Sequence, residues 1–295
     1  MSVVALVVTY NRLNLLKECL DGIGSQVVDT IVVDNASTDG TKEYLDSLDK
    51  TCFKVIHLAK NTGGSGGFFT GIKFFMENYK SDYLWLMDDD TIPKKDTLAK
   101  LLEVIPSIDE FGFLASNVRF TDGTPALMNI PVVDPLDWNE FGYKGEFLPV
   151  IKSASFVSLL LPRTIIQRVG LPYKEFFIWG DDSEYTSRIS ATTTSYFVPE
   201  SLVIHKMSQN IGVDIVNDDT DRISRYYYLF RNKVFLARKK HGRSKVKTFA
   251  GMGLEVLQVG LGHKVTHRMS KLLVMTRGII SGCFFNPKIS YVHKN

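Results

Sequence analysis

The sequence predicts an α/β fold: a mostly parallel sheet with helices on both faces, followed by a basic C-terminal helical region. Three observations carry this expectation. Through residues 1–105, short valine-rich runs alternate with amphipathic helical segments, the pattern of a sheet buried on both faces. Polar motifs follow directly on those runs, at the carboxyl ends where open α/β sheets bind ligands. The charge then changes sign along the chain. Residues 1–221 hold 19 Lys+Arg against 31 Asp+Glu, a net of −12, whereas residues 222–295 hold 16 Lys+Arg against Glu255 alone, a net of +15.

Val3–Thr9 reads as a first strand, Leu13–Ile23 as a helix and Thr30–Asp34 as a second strand. Asp39 is placed to cap a helix running to about Leu48. Phe53–Leu58 is a third strand, and the glycine cluster after it leads into a helix over Phe68–Tyr79. Tyr83–Met87 is a fourth strand ending on Asp88-Asp89-Asp90, and Pro93 starts a helix through Val104. Residues 106–150 are rich in Pro, Gly and Asp and read as loops and short strands. Ser153–Leu161 is a strand, with a short helix from Pro162. Trp179–Tyr185 opens a helix to about Ala191, and Tyr196–Val198 and Leu202–His205 are late strands. From Asp221 the period becomes helical. Tyr226, Tyr227, Phe230, Val234 and Ala237 share one face; Val246, Phe249, Ala250, Leu257 and Leu261 share a second; Val265, Met269, Leu272, Leu273, Ile279 and Ile280 share a third.

At 44% hydrophobic and 23% charged the composition is that of a globular protein, which excludes disordered and collagen-like chains. Cys19, Cys52 and Cys283 lie far apart, so neither a zinc site nor a disulfide framework is expected. The N-terminal apolar run has no basic residues ahead of it and reads as a strand rather than a signal peptide. The longest uncharged apolar stretches fall well short of the ~20 residues of a spanning helix.

Four motifs carry chemistry. Asp88 and Asp90 share a face at a strand end, where two carboxylates can ligate Mg²⁺ or Mn²⁺; an isolated triplet reads equally as a capped turn. Asn61–Gly67 precedes a helix and lacks the spacing of a dinucleotide or P-loop fingerprint. Its glycines, Gly63 and Gly64 among them, permit close backbone approach to a phosphate at a helix N-terminus. Thr9-Tyr10-Asn11-Arg12 and Asp34–Gly40 follow the first two strands, and Asp34 is placed to accept hydrogen bonds from a base or ribose. Trp179-Gly180-Asp181-Asp182-Ser183-Glu184 opens a helix, where a carboxylate can serve as a general base or as N-terminal charge stabilisation. His205 ends a strand and can complete a site with Asp88 and Asp90. His263 and His267 read as part of a cationic face.

Together VVTYNR, VVDNASTDGT, NTGGSGGF, WLMDDDTIP, WGDDSEY and His205, in that order, resemble family 2 inverting glycosyltransferases of GT-A (Rossmann-like) fold, most closely the galactofuranosyl- and rhamnosyltransferase branch. The likeness covers residues 1 to about 210 and reappears in the Arg-Tyr-Tyr-Tyr…Arg-Asn run near 225–232. It implies a catalytic domain over 1–220, with a nucleotide-binding half at about 1–105 and an acceptor half at about 106–220. Residues 221–295 would form a basic amphipathic region for membrane or acceptor docking.

The resemblance also implies residue roles. Thr9, Asn11, Arg12, Asp34, Asn61, Gly63, Gly64, Asp88 and Asp89 would bind the nucleotide. Asp88, Asp90 and His205 would hold the metal. Asp182, with Asp181 as its competitor, would be the base, and Trp179, Gly180 and Glu184 would line the acceptor site. The expected partners are a nucleotide-sugar, a glycan or lipid-linked acceptor and an anionic membrane surface, without nucleic acid. The C-terminal helices also offer a surface for self-association. The expected place is the cytoplasmic face of a bacterial cell membrane. Two alternatives stay open: a nucleotidyltransferase of similar fold, although Thr9–Arg12 lacks the glycine such an enzyme needs, and a non-catalytic membrane-bound assembly protein.

Overall fold

β1 (Val3–Thr9), β2 (Asp29–Asp34), β3 (Phe53–His57) and β4 (Tyr83–Asp88) pair in parallel in the order β3-β2-β1-β4. The computed structural model describes residues 1–133, 148–219 and 221–292. Among them β1 alternates between two cores. Val4, Leu6 and Val8 face α3 (Gly63–Asn78), while Ala5 and Val7 face α1 (Leu13–Ile23) and α4 (Thr97–Glu103). The period-2 strand buried on both sides is what the valine run encodes.

The other half of the sheet is mixed. β9 (Leu159–Pro162) runs antiparallel between β4 and β6 (Leu114–Arg119), and β6 pairs in parallel with β10 (Ser195–His205). β8 (Val150–Ser153) and β7 (Val132–Val133) extend the edge beyond β10. Among the described residues, α2 (Thr41–Asp46), α5 (Arg163–Val169) and α6 (Asp181–Ser190) complete the helices of this part.

Several elements differ from expectation. α3 begins at Gly63, five residues before Phe68, because its glycines are packing residues. A Cβ on Gly67 would meet Val8 Cγ1 at 2.4 Å and one on Gly71 would meet Leu6 Cδ1 at 2.3 Å. Pro93 does not start a helix. Thr91–Pro93 is the short strand β5, paired with β10, and the helix waits until Thr97. Ser153–Leu161 is not one strand, since β8 and β9 pair with different neighbours and Ser158 between them has φ 59°. The two late strands are one, β10, with a register shift between Val198 and Leu202. Residues 134–147 of the loop-rich middle lie outside the described residues.

Contacts divide the chain into two units. The first comprises Met1–Lys174, Asp182–Ile211 and the stretch from Ile289, and contains the sheet. The second comprises Gly212–Lys288 together with Glu175–Asp181. The helical unit thus begins before the sequence boundary at 220/221 and takes in part of the Trp179–Tyr185 motif.

The second unit is built from α7 (Tyr226–Lys239), α8 (Gly242–Leu261) and α9 (Arg268–Phe284). Tyr226, Phe230, Val234 and Ala237 of α7 face its core, as their spacing predicts, whereas Tyr227 of the same expected face is only half-buried. In α8 the core contacts come instead from Met252 and Val259. The apolar face picked out by sequence is turned outward, with Val246 69%, Leu257 57% and Leu261 75% exposed. On α9 Met269, Leu273, Ile280 and Phe284 are also exposed. No described helix is long and apolar enough to cross a membrane.

Candidate active site

The carboxyl ends of β1, β4 and β10 converge on an acidic cluster. Asp88 closes β4, and the chain then turns so that Asp89 and Asp90 are both buried. One ligand atom each from Asp88, Asp90 and His205 lies within 4.8 Å of the others. Burial pushes the Asp89 carboxyl up, against the pull of Arg12. Asp90 carries the same burial cost, yet its bonds to His205 and Arg12 hold it below the usual carboxylate range. Two adjacent buried carboxyls are thereby driven apart.

Asp89 faces inward. It accepts from Thr9 Oγ1 at 2.8 Å and the Tyr10 amide at 3.3 Å, fixing the end of β1 to the end of β4. Arg12 donates to Asp89 at 3.3 Å and also pairs with Asp90. The other oxygen of Asp90 lies 2.9 Å from His205 Nε2. His205 Nδ1 lies 2.8 Å from Asn129 Oδ1, and Asn129 Nδ2 donates to Ser155 Oγ at 2.8 Å. Asn129 thus holds the Nδ1 side of the ring, and Nε2 is the nitrogen facing the carboxylates. The cluster therefore fits a hard divalent cation, with two carboxylates, one imidazole and an outer partner for the histidine.

The neighbouring loops are braced by side chains. Asn11, at φ 53°, accepts from the Thr38 amide at 2.7 Å and donates its own amide to Ser37 Oγ at 2.9 Å. Asp39 accepts from the Leu13 amide at 3.1 Å and the Thr41 hydroxyl at 2.6 Å, so it serves the starts of α1 and α2. Asp34 is buried, holding the Ser37 amide at 2.9 Å and His57 Nδ1 at 2.8 Å. Asn35 bridges to the glycine loop through the Thr62 amide at 2.8 Å and the Gly63 carbonyl at 2.9 Å. Asn61 accepts from the Gly63 amide at 2.8 Å. Gly63 needs its glycine for φ 74°, and a Cβ on Gly64 would meet open space.

At the start of α6 the two acids differ. Asp181 is buried, 7% exposed, whereas Asp182 is half-buried. Burial pushes the Asp182 carboxyl up, against bonds from Ser183. Its Oδ1 accepts from the Ser183 amide at 2.6 Å, and its Oδ2 has no hydrogen-bond partner among the described residues. Glu184 commits both oxygens to Arg188, each at 3.0 Å. In the helical unit, Trp179 packs edge-on against Tyr226 at 4.9 Å between ring centroids. His263 and His267 are exposed and belong to no described metal cluster.

Asn35, His57 and Asn129 also support these motifs, though the sequence does not single them out. Asn35 lies within the Asp34–Gly40 segment; Asn129 sits in a segment with no periodicity or motif to mark it.

The ends of the parallel strands thus gather two carboxylates and a histidine close to a glycine-led helix. Residues 4–148 match the family described as Glycosyl transferase family 2, and these residues form a family 2 glycosyltransferase domain with a GT-A-like fold. The chain is similar to Galactofuranosyltransferase GlfT1 of Mycolicibacterium smegmatis, at 26% identity over 256 residues, 79% of this chain and 82% of that protein. Among solved structures it resembles GalNAc-T7 with UDP, GalNAc and Mn2+, with TM-score 0.64 and 14% identity over 92% of this chain and 53% of that one. The chain thus spans about half the length of that relative. It also resembles mannosyltransferase PcManGT from Pyrobaculum calidifontis in complex with GDP-Man and Mn2+, with TM-score 0.53 and 16% identity over 96% and 75% of the two chains.

Proposed function

We propose that the protein transfers galactofuranose or rhamnose from a nucleoside-diphosphate sugar to a glycan or lipid-linked saccharide, with inversion, in bacterial cell-surface polysaccharide assembly. The observation that carries this reading is the convergence of Asp88, Asp90 and His205 at the ends of two strands. The likeness to a galactofuranosyltransferase over 82% of that protein's length favours galactofuranose.

The Asp182 carboxylate takes the proton of an acceptor hydroxyl, and its free Oδ2 and raised proton affinity suit that role. The acceptor oxygen forms the new bond to the anomeric carbon as the bond to the diphosphate oxygen breaks, so a single displacement inverts the centre. A Mn²⁺ or Mg²⁺ ion held by Asp88, Asp90 and His205 would supply positive charge for the departing diphosphate. Asp34, through its bond to His57, and the loop of Asn61, Gly63 and Gly64 hold the nucleotide, and Thr9, Asn11, Arg12 and Asp89 brace that site. Trp179 and Gly180 shape the acceptor side.

The helical unit rests on an anionic membrane surface. Its outward apolar stripe on α8 is flanked by Lys245 and Lys247, the composition of an interfacial helix.

The test is transfer from UDP-galactofuranose, dTDP-rhamnose and GDP-mannose to a saccharide acceptor, with Mn²⁺, Mg²⁺ or chelator, and the product's anomeric configuration read by NMR. Metal-dependent, inverted transfer from the first or second donor is expected. Retention, transfer only from the third donor, or full activity in chelator would overturn the corresponding part of the proposal.

A further inference from the structure

The segment leading into the paired acids has an unusual backbone. Phe177 and Trp179 have φ of 68° and 63°, and Gly180 has 90°. Left-handed backbone is strained for an L-residue, and it persists only where the surroundings over-determine it. Two such residues in so short a stretch need an outside clamp.

Within the helical unit, α7 supplies it. Asn232 is 1% exposed. Its Nδ2 donates to the carbonyls of Trp179 at 2.9 Å and Phe176 at 3.1 Å, and reaches that of Ile178 at 3.4 Å. Its Oδ1 accepts from Arg231 Nε at 3.2 Å and Nη2 at 3.0 Å. Arg231 also donates to the carbonyls of Glu175 at 2.6 Å and Phe176 at 3.0 Å, and its guanidinium lies 4.0 Å from the centre of the Phe285 ring. The loop's carbonyls are met by donors from two consecutive side chains of one helix.

We propose that Asn232, oriented by Arg231, is a positioning residue for transfer: it holds Trp179 and Gly180 in the conformation from which the chain enters Asp181 and Asp182. The inference rests on the reading of Asp182 as the base. Only an amide of this length meets both sides, with N–H donors for the loop and an oxygen for Arg231. An aspartate has the same shape but sets an oxygen against carbonyls. A residue that merely filled the core would affect the stability of the helical unit and not the use of the acceptor.

The test compares full-length Asn232→Asp and Asn232→Ala with Met252→Ala, a buried truncation elsewhere in the same unit. The readouts are amide hydrogen exchange over 175–182, nucleotide affinity, and kcat and KM for each substrate. In both Asn232 variants exchange over 176–181 speeds up and kcat falls about 100-fold, the scale of an ångström of misplacement, while nucleotide affinity is kept. Met252→Ala leaves both unchanged. Wild-type kcat in a folded Asn232 variant overturns the proposal. So does an equal kcat loss in Met252→Ala at matched Tm.

If the Asn232 variants do not fold, Gly180→Ala perturbs the same backbone with Asn232 in place. A Cβ there meets only Asn232 Cβ, at 4.0 Å, so strain at φ 90° is its effect, and unchanged kcat overturns the proposal. A wild-type protein without transferase activity defeats the reading of function instead. Exchange then decides the clamp by itself, and unaltered exchange in the Asn232 variants overturns it.

Discussion

His205 Nδ1 and Asn129 Oδ1 lie 2.8 Å apart, and this contact determines which ring nitrogen of His205 faces Asp90. Removing it frees the ring to change tautomer and tilt. Asn129→Ala is expected to weaken Mn²⁺ binding about 10- to 100-fold, the usual cost of losing a ligand's outer partner. Calorimetry with nucleotide present measures this. Unchanged affinity would remove His205 from the ligand set.

As the proposed base, Asp182 would act deprotonated, and burial raises its pKa above the ordinary ~3.9 of an aspartate. Transfer should therefore fall as pH drops through that raised value, giving an acid limb displaced upward from that of an ordinary aspartate. In Asp182→Asn the limb disappears, the rate falls about 10²- to 10⁴-fold, and nucleotide binding survives. A pH–rate profile that keeps its acid limb in the variant would assign the limb to another group, Asp181 first.

Gly278 lets α9 lie against α7. A Cβ there would stand 2.6 Å from the Tyr227 carbonyl oxygen and 2.9 Å from Phe230 Cβ. Backbone cannot yield as a side-chain tip can, so Gly278→Ala should destabilise the helical unit by about 1–3 kcal/mol. Thermal unfolding reads the loss, and a variant as stable as wild type would show that the helices separate at little cost.

The outward stripe of α8 makes a separate prediction. Neutralising Lys245 and Lys247 should cost about 2 kcal/mol of binding to anionic vesicles, at about 1 kcal/mol per basic residue, which is roughly 30-fold. Leu257→Glu should also weaken it, and neither change should alter nucleotide affinity. Sedimentation with phosphatidylglycerol vesicles is the measurement. Binding indifferent to lipid charge would overturn the electrostatic part of the proposal, and absent binding would overturn membrane docking altogether.

Much of the first unit was legible because its signals are local. A valine run of period 2, a helix of period 3.6 and a polar motif at each strand end are properties of neighbouring residues. Val3–Thr9 and Leu13–Ile23 appear in the structure with those bounds. Where the partner decides, local reading misplaced the element. Pro93 belongs to a strand because β10 lies beside it, and α3 starts in glycines because β1 needs the space. Helical spacing found the apolar face of α8 without telling inside from outside, since both sides of that helix carry apolar residues.

The net charge split, the parallel β-α order and the acidic, glycine-rich and Trp-Gly-Asp-Asp motifs were determined by the sequence alone, because composition and short-range periodicity suffice to state them. The tertiary structure alone decided that Asn129 backs His205, that Arg12 pairs with Asp89 and Asp90, and that Arg231 and Asn232 grip the loop before Asp181. Those contacts join residues some fifty to eighty positions apart. A hydrogen bond needs its partners within about 3 Å, and only the packed chain brings them there.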